Sequence, residues 1–190
     1  GLCGLNMKGD FYKDLQGLSL KNVSLFAYAG QKKLYEGFGE MLFTHFGISG
    51  PLVLSLSSLI NRLQMKDITL YLDLKPALDE TTLDKRILRD FEEYKNKKIS
   101  NALVRLLPTK LILPILRSAQ ISSEAFVHSI SKEERARLVK CLKAFPMKPL
   151  SLRDFEEAII TSGGVELSEI NPKTMESKLV ERLFFAGEVL

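Results

Sequence analysis

The hydrophobic residues of this chain change their spacing twice, and the change limits the folds that the chain can adopt. Between Pro76 and Met147 they recur every three or four residues, as on one face of a helix. On either side they alternate with polar residues over short runs, as in strands with one buried face. The order predicts a helical unit of residues 76–147 set into a β unit formed by residues 1–75 and 148–190.

The helical unit carries clear start and stop signals. Asp79 or Thr81 is placed to cap its first helix, and Ser131 followed by Glu134 matches a capping box for the last one. Pro114 has to lie in a first turn or kink its helix. The predicted helices are Thr81–Lys95, Ile99–Leu107, Lys110–Ser118 and Ser131–Phe145.

The β unit begins with a predicted hairpin. Leu18–Ala27 reads as a strand with an irregularity near Asn22, and Leu34–Phe43 reads as the return strand after a turn at residues 29–32. Ile68–Leu74 alternates most regularly. Strand signals return after Pro149, with Gly163-Gly164 as a turn. The late predicted strands are Leu150–Phe155, Ala158–Thr161, Lys178–Val180 and Leu183–Ala186.

Composition excludes several classes of protein. The 190 residues carry a net charge of only +4, with Lys and Arg scattered among Asp and Glu, so nucleic-acid binding is disfavoured. Cys3 and Cys141 lie far apart, which fits a reducing, cytoplasmic setting. Two histidines cannot build a His-rich metal site, and no apolar run has the length of a membrane span. We expect no bound metal and no membrane partner.

The stretch from Gly39 to Pro51 is the strongest candidate for a site. It combines an acid, a hydroxyl, His45 and three glycines between two apolar runs, and Ser49 followed by Gly50-Pro51 reads as a helix start. A strand, a tight loop and a helix N-terminus in that order can seat an anionic or aromatic ligand. The plain alternative is a structural turn in which His45 satisfies loop carbonyl groups.

Other familiar sites are absent from the sequence. Gly37-Phe38-Gly39 begins like a dinucleotide fingerprint, but Leu42 stands where the third glycine belongs. No Walker loop and no zinc-ligand spacing occur. Cys141 lies in an amphipathic helix and is expected to be a small core residue rather than a nucleophile.

Four segments, taken together, resemble one family over essentially the whole chain. They are similar to segments of bacterial NAD(P)/FAD-dependent oxidoreductases, the aminoacetone-oxidase-like FAD-binding flavoproteins. The segments are Leu15–Val23, Gly39–Pro51, Thr161–Val165 and the run from Asn171-Pro172-Lys173-Thr174 to Phe185-Ala186-Gly187-Glu188.

The resemblance implies an α+β fold, with a small β-barrel similar to flavin-reductase and elongation-factor barrels and an inserted all-α helical bundle. In that family such a region is an insert within a Rossmann-type FAD domain, whose glycine fingerprint this chain lacks. The chain also stops within an apolar run that reads as a strand, at Phe184–Leu190. We therefore expect a fragment that binds FAD weakly or not at all and is inactive alone. Its parent is expected to be a cytoplasmic FAD-dependent oxidoreductase, and its partner the remaining Rossmann-type domain.

Two groups of residues would contact the cofactor, the first of them by a further resemblance of the tail to the wider flavoprotein group that includes fumarate reductases. Ala186, Gly187 and Glu188 would approach the ribityl or pyrophosphate part of FAD, where a carboxylate accepts bonds from ribityl hydroxyls. Residues of two loops would face the isoalloxazine ring or the substrate, with His45 as the catalytic candidate. These loop residues are Thr44, His45, Gly47, Thr161, Gly163 and Gly164. Two alternatives stay open: a nucleic-acid- or protein-binding barrel module without a redox role, and a purely structural lid.

Overall fold

The structure is a computed structural model that describes residues 2–160 and 163–190. In this part of the chain it is α+β, as expected, with a seven-stranded antiparallel sheet and six α-helices. The strands are β1 Leu5–Met7, β2 Ser19–Ala29, β3 Lys32–Thr44, β4 Gly47–Ser49, β5 Ile68–Asp73, β6 Phe145–Met147 and β7 Pro149–Leu152. The helices are α1 Phe11–Asp14, α2 Pro51–Ile60, α3 Glu80–Glu93, α4 Ile99–Ala102, α5 Thr109–Ser118 and α6 Lys132–Lys143.

The hairpin of β2 and β3 forms the centre of the sheet and confirms the predicted strand pair. The pairing register shifts between Leu20 and Val23, where Asn22 takes a positive φ of 57°. Such a bulge inserts an extra residue and increases the local twist. Leu25 and Ala27 of β2 point into the core and are fully buried. The irregularity predicted near Asn22 is therefore a β-bulge.

The sheet order is β6-β5-β2-β3-β4-β1-β7, so the two edge strands are also consecutive in sequence. Only Lys148 separates them, and its ammonium donates to the carbonyl oxygens of Lys66 and Ile68 at 2.7 and 2.8 Å. The sheet must therefore curl until its edges meet at this residue. Among the described residues, however, no strand ladder pairs β6 with β7. The predicted small β-barrel is therefore confirmed only in part: the sheet curls but is not closed, because strands joined by one residue cannot turn back to lie side by side.

The helical region begins and ends much as the sequence predicts. Asp79 caps α3, its side chain accepting from the Thr82 backbone N–H at 2.7 Å, and Ser131 and Glu134 form the expected capping box of α6. Pro114 lies within α5. The second predicted helix is shorter than expected, since α4 continues as a 3-10 helix at Leu103–Arg105.

One hydrophobic core extends through the sheet and the helices. Leu72 of β5 and Leu142 of α6 are both fully buried members of it. Next to them the ammonium of Lys143 pairs with Asp73 at 2.6 Å and donates to the carbonyl oxygens of Lys75 and Leu78 at 3.0 and 2.6 Å. This contact fixes the end of α6 to the end of β5. The division into two units at residues 76–147 stays a prediction.

Two sequence predictions about local structure are wrong. Ser49 does not cap α2, because it belongs to β4; Gly50, with a φ of 95°, occupies the N-cap position and makes no side-chain bond. The last predicted strands are replaced by irregular chain with isolated bridges, such as Glu176 to Phe184. Leu179 and Phe184 are 71% and 59% exposed, so no apolar surface in the described part of the chain covers them. The predicted strand Ala158–Thr161 runs beyond the described residues.

None of the helices in residues 2–160 and 163–190 is long and apolar enough to cross a membrane.

Candidate functional site

The central motif folds as a tight turn between β3 and β4. Thr44 pairs with Gly47 across the turn, and the Gly47 backbone N–H donates to the Thr44 hydroxyl at 3.2 Å. Gly47 has a φ of 151°, and a Cβ at this position would lie 2.4 Å from the carbonyl oxygen of Leu5. This glycine therefore lets β1 pack directly against β4. In this structure Gly47 therefore serves the close packing of two strands.

His45 and Phe46 form the tip of that turn. The His45 side chain is exposed, and its ring meets the Phe46 ring edge-on with centroids 5.1 Å apart. Phe46 lies over Gly4, where a Cβ would come within 2.8 Å of the aromatic ring. On the same ring lies the guanidinium of Arg153, 4.6 Å from the centroid, at a distance typical of a cation–π contact. The imidazole of His45 and the ring of Phe46, both in the turn, thus lie close to the guanidinium of Arg153.

Hydrogen bonds hold the guanidinium of Arg153 in place. Its Nε donates to Glu157 Oε2 at 2.7 Å and its second terminal nitrogen to Glu157 Oε1, while the first donates to Asn6 Oδ1 at 3.2 Å. Asn6 is itself fixed, since its amide donates to the Ser151 hydroxyl at 2.8 Å. A planar cation supported in this way is suited to an anionic or carbonyl oxygen of a ligand.

The charges in this cluster affect one another. The hydrogen bond from Arg153 lowers the pKa of Glu157, and the charge of His45 adds a smaller lowering contribution. The same bond, and the charges of Glu157 and Asp154, raise the pKa of Arg153. Both groups are therefore charged across the neutral range.

The other predicted loops form a second cluster. The Val165 backbone N–H donates to the Val189 carbonyl oxygen at 2.9 Å, which brings Gly164 against the Val189 and Leu190 backbones. A Cβ on Gly164 would lie 2.3 Å from the Val189 oxygen, so the two segments touch through their backbones. Ala186 and Glu188 are exposed next to this contact. Thr161, predicted as a member of the same loop, lies outside the described residues.

The space beside the main chain is open at Gly163 and at Gly187. Both have positive φ, 108° and 84°, and a Cβ added to either would meet no atom within 4 Å. Such positions allow a ligand to approach the main chain closely. Between the two clusters the chain passes through Ile159 and Ile160, which form backbone hydrogen bonds with Leu2 at 2.9 and 2.7 Å.

Sequence reasoning missed Asn6, Arg153 and Glu157. These residues are separated by up to 151 positions in the numbering and meet only because β1 pairs with β7. No local motif marks them. Cys141 packs against the core as predicted, and among the described residues no group of three or more His, Cys, Asp and Glu side chains is placed to hold a metal ion.

Comparison with known proteins relates the chain to one family. A family model described as "HI0933-like protein barrel and H2TH domain" matches residues 1–160. The chain is 33% identical over 180 residues to the ribosomal RNA dihydrouridine synthase of Haemophilus influenzae, covering 95% of this chain and 42% of that protein.

Two further relatives are less similar to the chain. The Escherichia coli ribosomal RNA dihydrouridine synthase is 28% identical over 151 residues, covering 80% of this chain and 36% of that protein. The 3-dehydro-bile acid delta(4,6)-reductase of Clostridium scindens is 25% identical over 166 residues, covering 86% of this chain and 41% of that protein. The chain thus spans about two fifths of the length of the curated relatives it matches.

Proposed function

This chain belongs to the HI0933-like protein family, and from that membership we infer that it is the insert region of an FAD-dependent reductase. In this proposal a Rossmann-type domain of the same polypeptide holds most of the cofactor. The insert covers the flavin and substrate side of that domain, and the insert alone has no catalytic activity. The names of the relatives support a reductase, because both a dihydrouridine synthase and a delta(4,6)-reductase are named for reductions of carbon–carbon double bonds.

The observation that carries the proposal is the backbone contact of Gly164 and Val165 with Val189, which joins the Gly163-Gly164 segment to the end of the Gly187–Val189 segment. The open backbones of Gly163 and Gly187 fit a cofactor that needs close main-chain approach. The exposed carboxylate of Glu188 is available to accept hydrogen bonds from ribityl hydroxyls. When bound, FAD would supply the hydride or electron transfer.

The cluster at the β3–β4 turn has a separate task in this proposal. Arg153, held by Asn6 and Glu157, would orient an electron-rich group of the substrate or of the flavin. His45, exposed beside it, is the imidazole available to form a hydrogen bond with the substrate or the flavin. Free Cys3 and Cys141 are compatible with a reducing cytoplasm for the parent protein.

Visible absorbance tests the proposal. The longer polypeptide that contains this chain should purify with bound flavin, and the 190-residue chain should purify colourless. In the longer polypeptide, Arg153→Ala should lower turnover while the flavin stays bound, and Lys173→Ala, an exposed residue of no assigned role, should change neither. A longer polypeptide without flavin, or an isolated chain with stoichiometric flavin, would refute the assignment.

A further inference from the structure

We propose that the groove between the bulge of β2 and the start of α5 binds a small organic anion through a carboxylate or phosphate group. This site goes beyond the proposed function, because its lining residues belong neither to the β3–β4 turn nor to the glycine segments near the end of the chain. The groove, called here the Lys75 groove, has a volume of about 290 Å³. Its polar side chains are Ser19, Lys21 and Lys75, and its other lining residues are leucines, a valine and a proline.

The composition of the Lys75 groove suits an anion. Two ammonium groups and one hydroxyl group line it, and none of its lining residues is acidic. A bound cation would therefore meet like charges, whereas an oxyanion would meet two opposite charges and a hydroxyl donor. The apolar side chains favour an anion that carries a short carbon skeleton. A volume just below the range typical of drug-sized ligands limits that skeleton to a few carbon atoms.

The ammonium of Lys75 has no counter-ion in the described part of the chain. Its side chain is half-buried, and its ammonium forms no ion pair and no hydrogen bond with any described residue. Burial lowers the pKa of this ammonium, and the positive charge of Arg86 lowers the same pKa further. Burial of a charge without a partner costs free energy. An anion in the groove supplies the missing partner.

The buried carboxylates of this region are committed to other groups. Asp73 accepts from the Lys75 backbone N–H at 2.8 Å and from the ammonium of Lys143 at 2.6 Å. Asp90 accepts from the guanidinium of Arg86 at 3.0 Å. The two buried acids therefore balance Lys143 and Arg86, and they leave the ammonium of Lys75 to a ligand.

The β-bulge accounts for the presence of a second ammonium in the groove. Leu20 and Val23 are both buried although three positions separate them, and in a regular strand such residues point to opposite faces. The register shift between them adds an extra residue to β2, and Asn22 takes a positive φ of 57°. Bulges re-aim side chains and are common next to active sites. Here the bulge places Lys21 at the groove, and Glu40 on the opposite strand forms no ion pair with Lys21 in the described structure.

Calorimetric titration of the 190-residue chain at low ionic strength tests the proposal, with butyrate, butyl phosphate and the neutral butyramide as ligands. The wild type should bind at least one of the two anions with a Kd on the order of 1 mM. Lys75→Met should weaken that binding about tenfold or more, since it removes the charged donor and keeps the aliphatic chain. Lys75→Arg should keep most of the affinity. Lys32→Met removes an exposed lysine outside the groove and should bind like the wild type.

Thermal unfolding gives a second readout that a lysine with a structural partner would not produce. Without ligand, Lys75→Met should raise Tm by roughly 2–4 °C, because the variant no longer buries an unpaired ammonium. The anion that binds should raise the Tm of the wild type and leave that of Lys75→Met unchanged. Circular dichroism of each variant checks that it is folded.

Four results would overturn the proposal. They are the absence of binding by either anion, equal affinity in the wild type and Lys75→Met, binding of butyramide as tight as that of butyrate, and a lower Tm for Lys75→Met than for the wild type. Binding of either anion that depends on Lys75 supports the site, and the tighter of the two anions identifies the group that the natural ligand carries.

Discussion

Gly47→Ala should destabilise the chain strongly, because this glycine lies where β1 pairs with β4. The new Cβ would lie 2.4 Å from the Leu5 carbonyl oxygen, 2.6 Å from Met7 Cγ and 2.8 Å from the Met7 backbone nitrogen. Two of these atoms belong to the main chain and cannot rotate away. Backbone strain at a φ of 151° costs about 1–3 kcal/mol and overpacking a further 1–3 kcal/mol. The lower entropy of the unfolded alanine chain offsets about 0.4–1 kcal/mol of that.

The net loss should be about 1–5 kcal/mol in a urea titration, and each kcal/mol should lower Tm by roughly 2–4 °C. Gly30→Ala is the matched control, since Gly30 has a φ of 57° and a Cβ there would meet no atom within 4 Å. It carries only the conformational penalty, about 1–2 kcal/mol before the same offset. If the two variants unfold within about 0.5 kcal/mol of each other, the close packing of β1 on β4 is not what requires glycine.

Two further predictions concern charged groups. Lys143→Met should cost about 3–5 kcal/mol in a denaturant titration, because it leaves the nearly buried Asp73 carboxylate without its ammonium partner. Adding Asp73→Asn should recover part of that loss, and a double variant no more stable than the single one would contradict the reasoning. Asp79→Ala should lower Tm at neutral pH and have little effect well below pH 3.8, since the Thr82 N–H bond lowers the folded-state pKa of Asp79 below that ordinary value and its stabilisation is lost as the pH falls. An equal change in Tm at both pH values would show that the carboxylate charge is irrelevant to the cap.

Local signals in the sequence predict most of the sheet and helices. The bulge at Asn22, the capping box at Ser131 and the strand Ile68–Asp73 each depend on residues within a few positions, and each forms as expected. The order of the strands in the sheet could not be predicted from such local signals. The two edges are the consecutive strands β6 and β7, and only the long-range pairing of β7 with β1 determines the curl of the sheet.

The candidate site likewise has one part that local sequence patterns predict and one part that depends on long-range strand pairing. Glycines and His45 are visible as a local pattern, and the structure does bring Gly164 and Val189 into contact. The support of Arg153 by Asn6 and Glu157 depends on strand pairing across the whole chain, so no sequence pattern marks it. Predicted strands also failed where their apolar residues, such as Leu179, have no neighbouring apolar surface in the described part of the chain.

In the proposed complex the open backbone at Gly187 faces the flavin, and FAD titration of the longer polypeptide measures this contact. Gly187→Ala adds a methyl group where nothing in this chain lies within 4 Å, and Gly30→Ala adds the same group at another positive φ far from the proposed site in sequence. We predict at least about tenfold weaker FAD binding for Gly187→Ala, equivalent to about 1.4 kcal/mol, and wild-type affinity for Gly30→Ala. Equal FAD affinity in the two variants would contradict it.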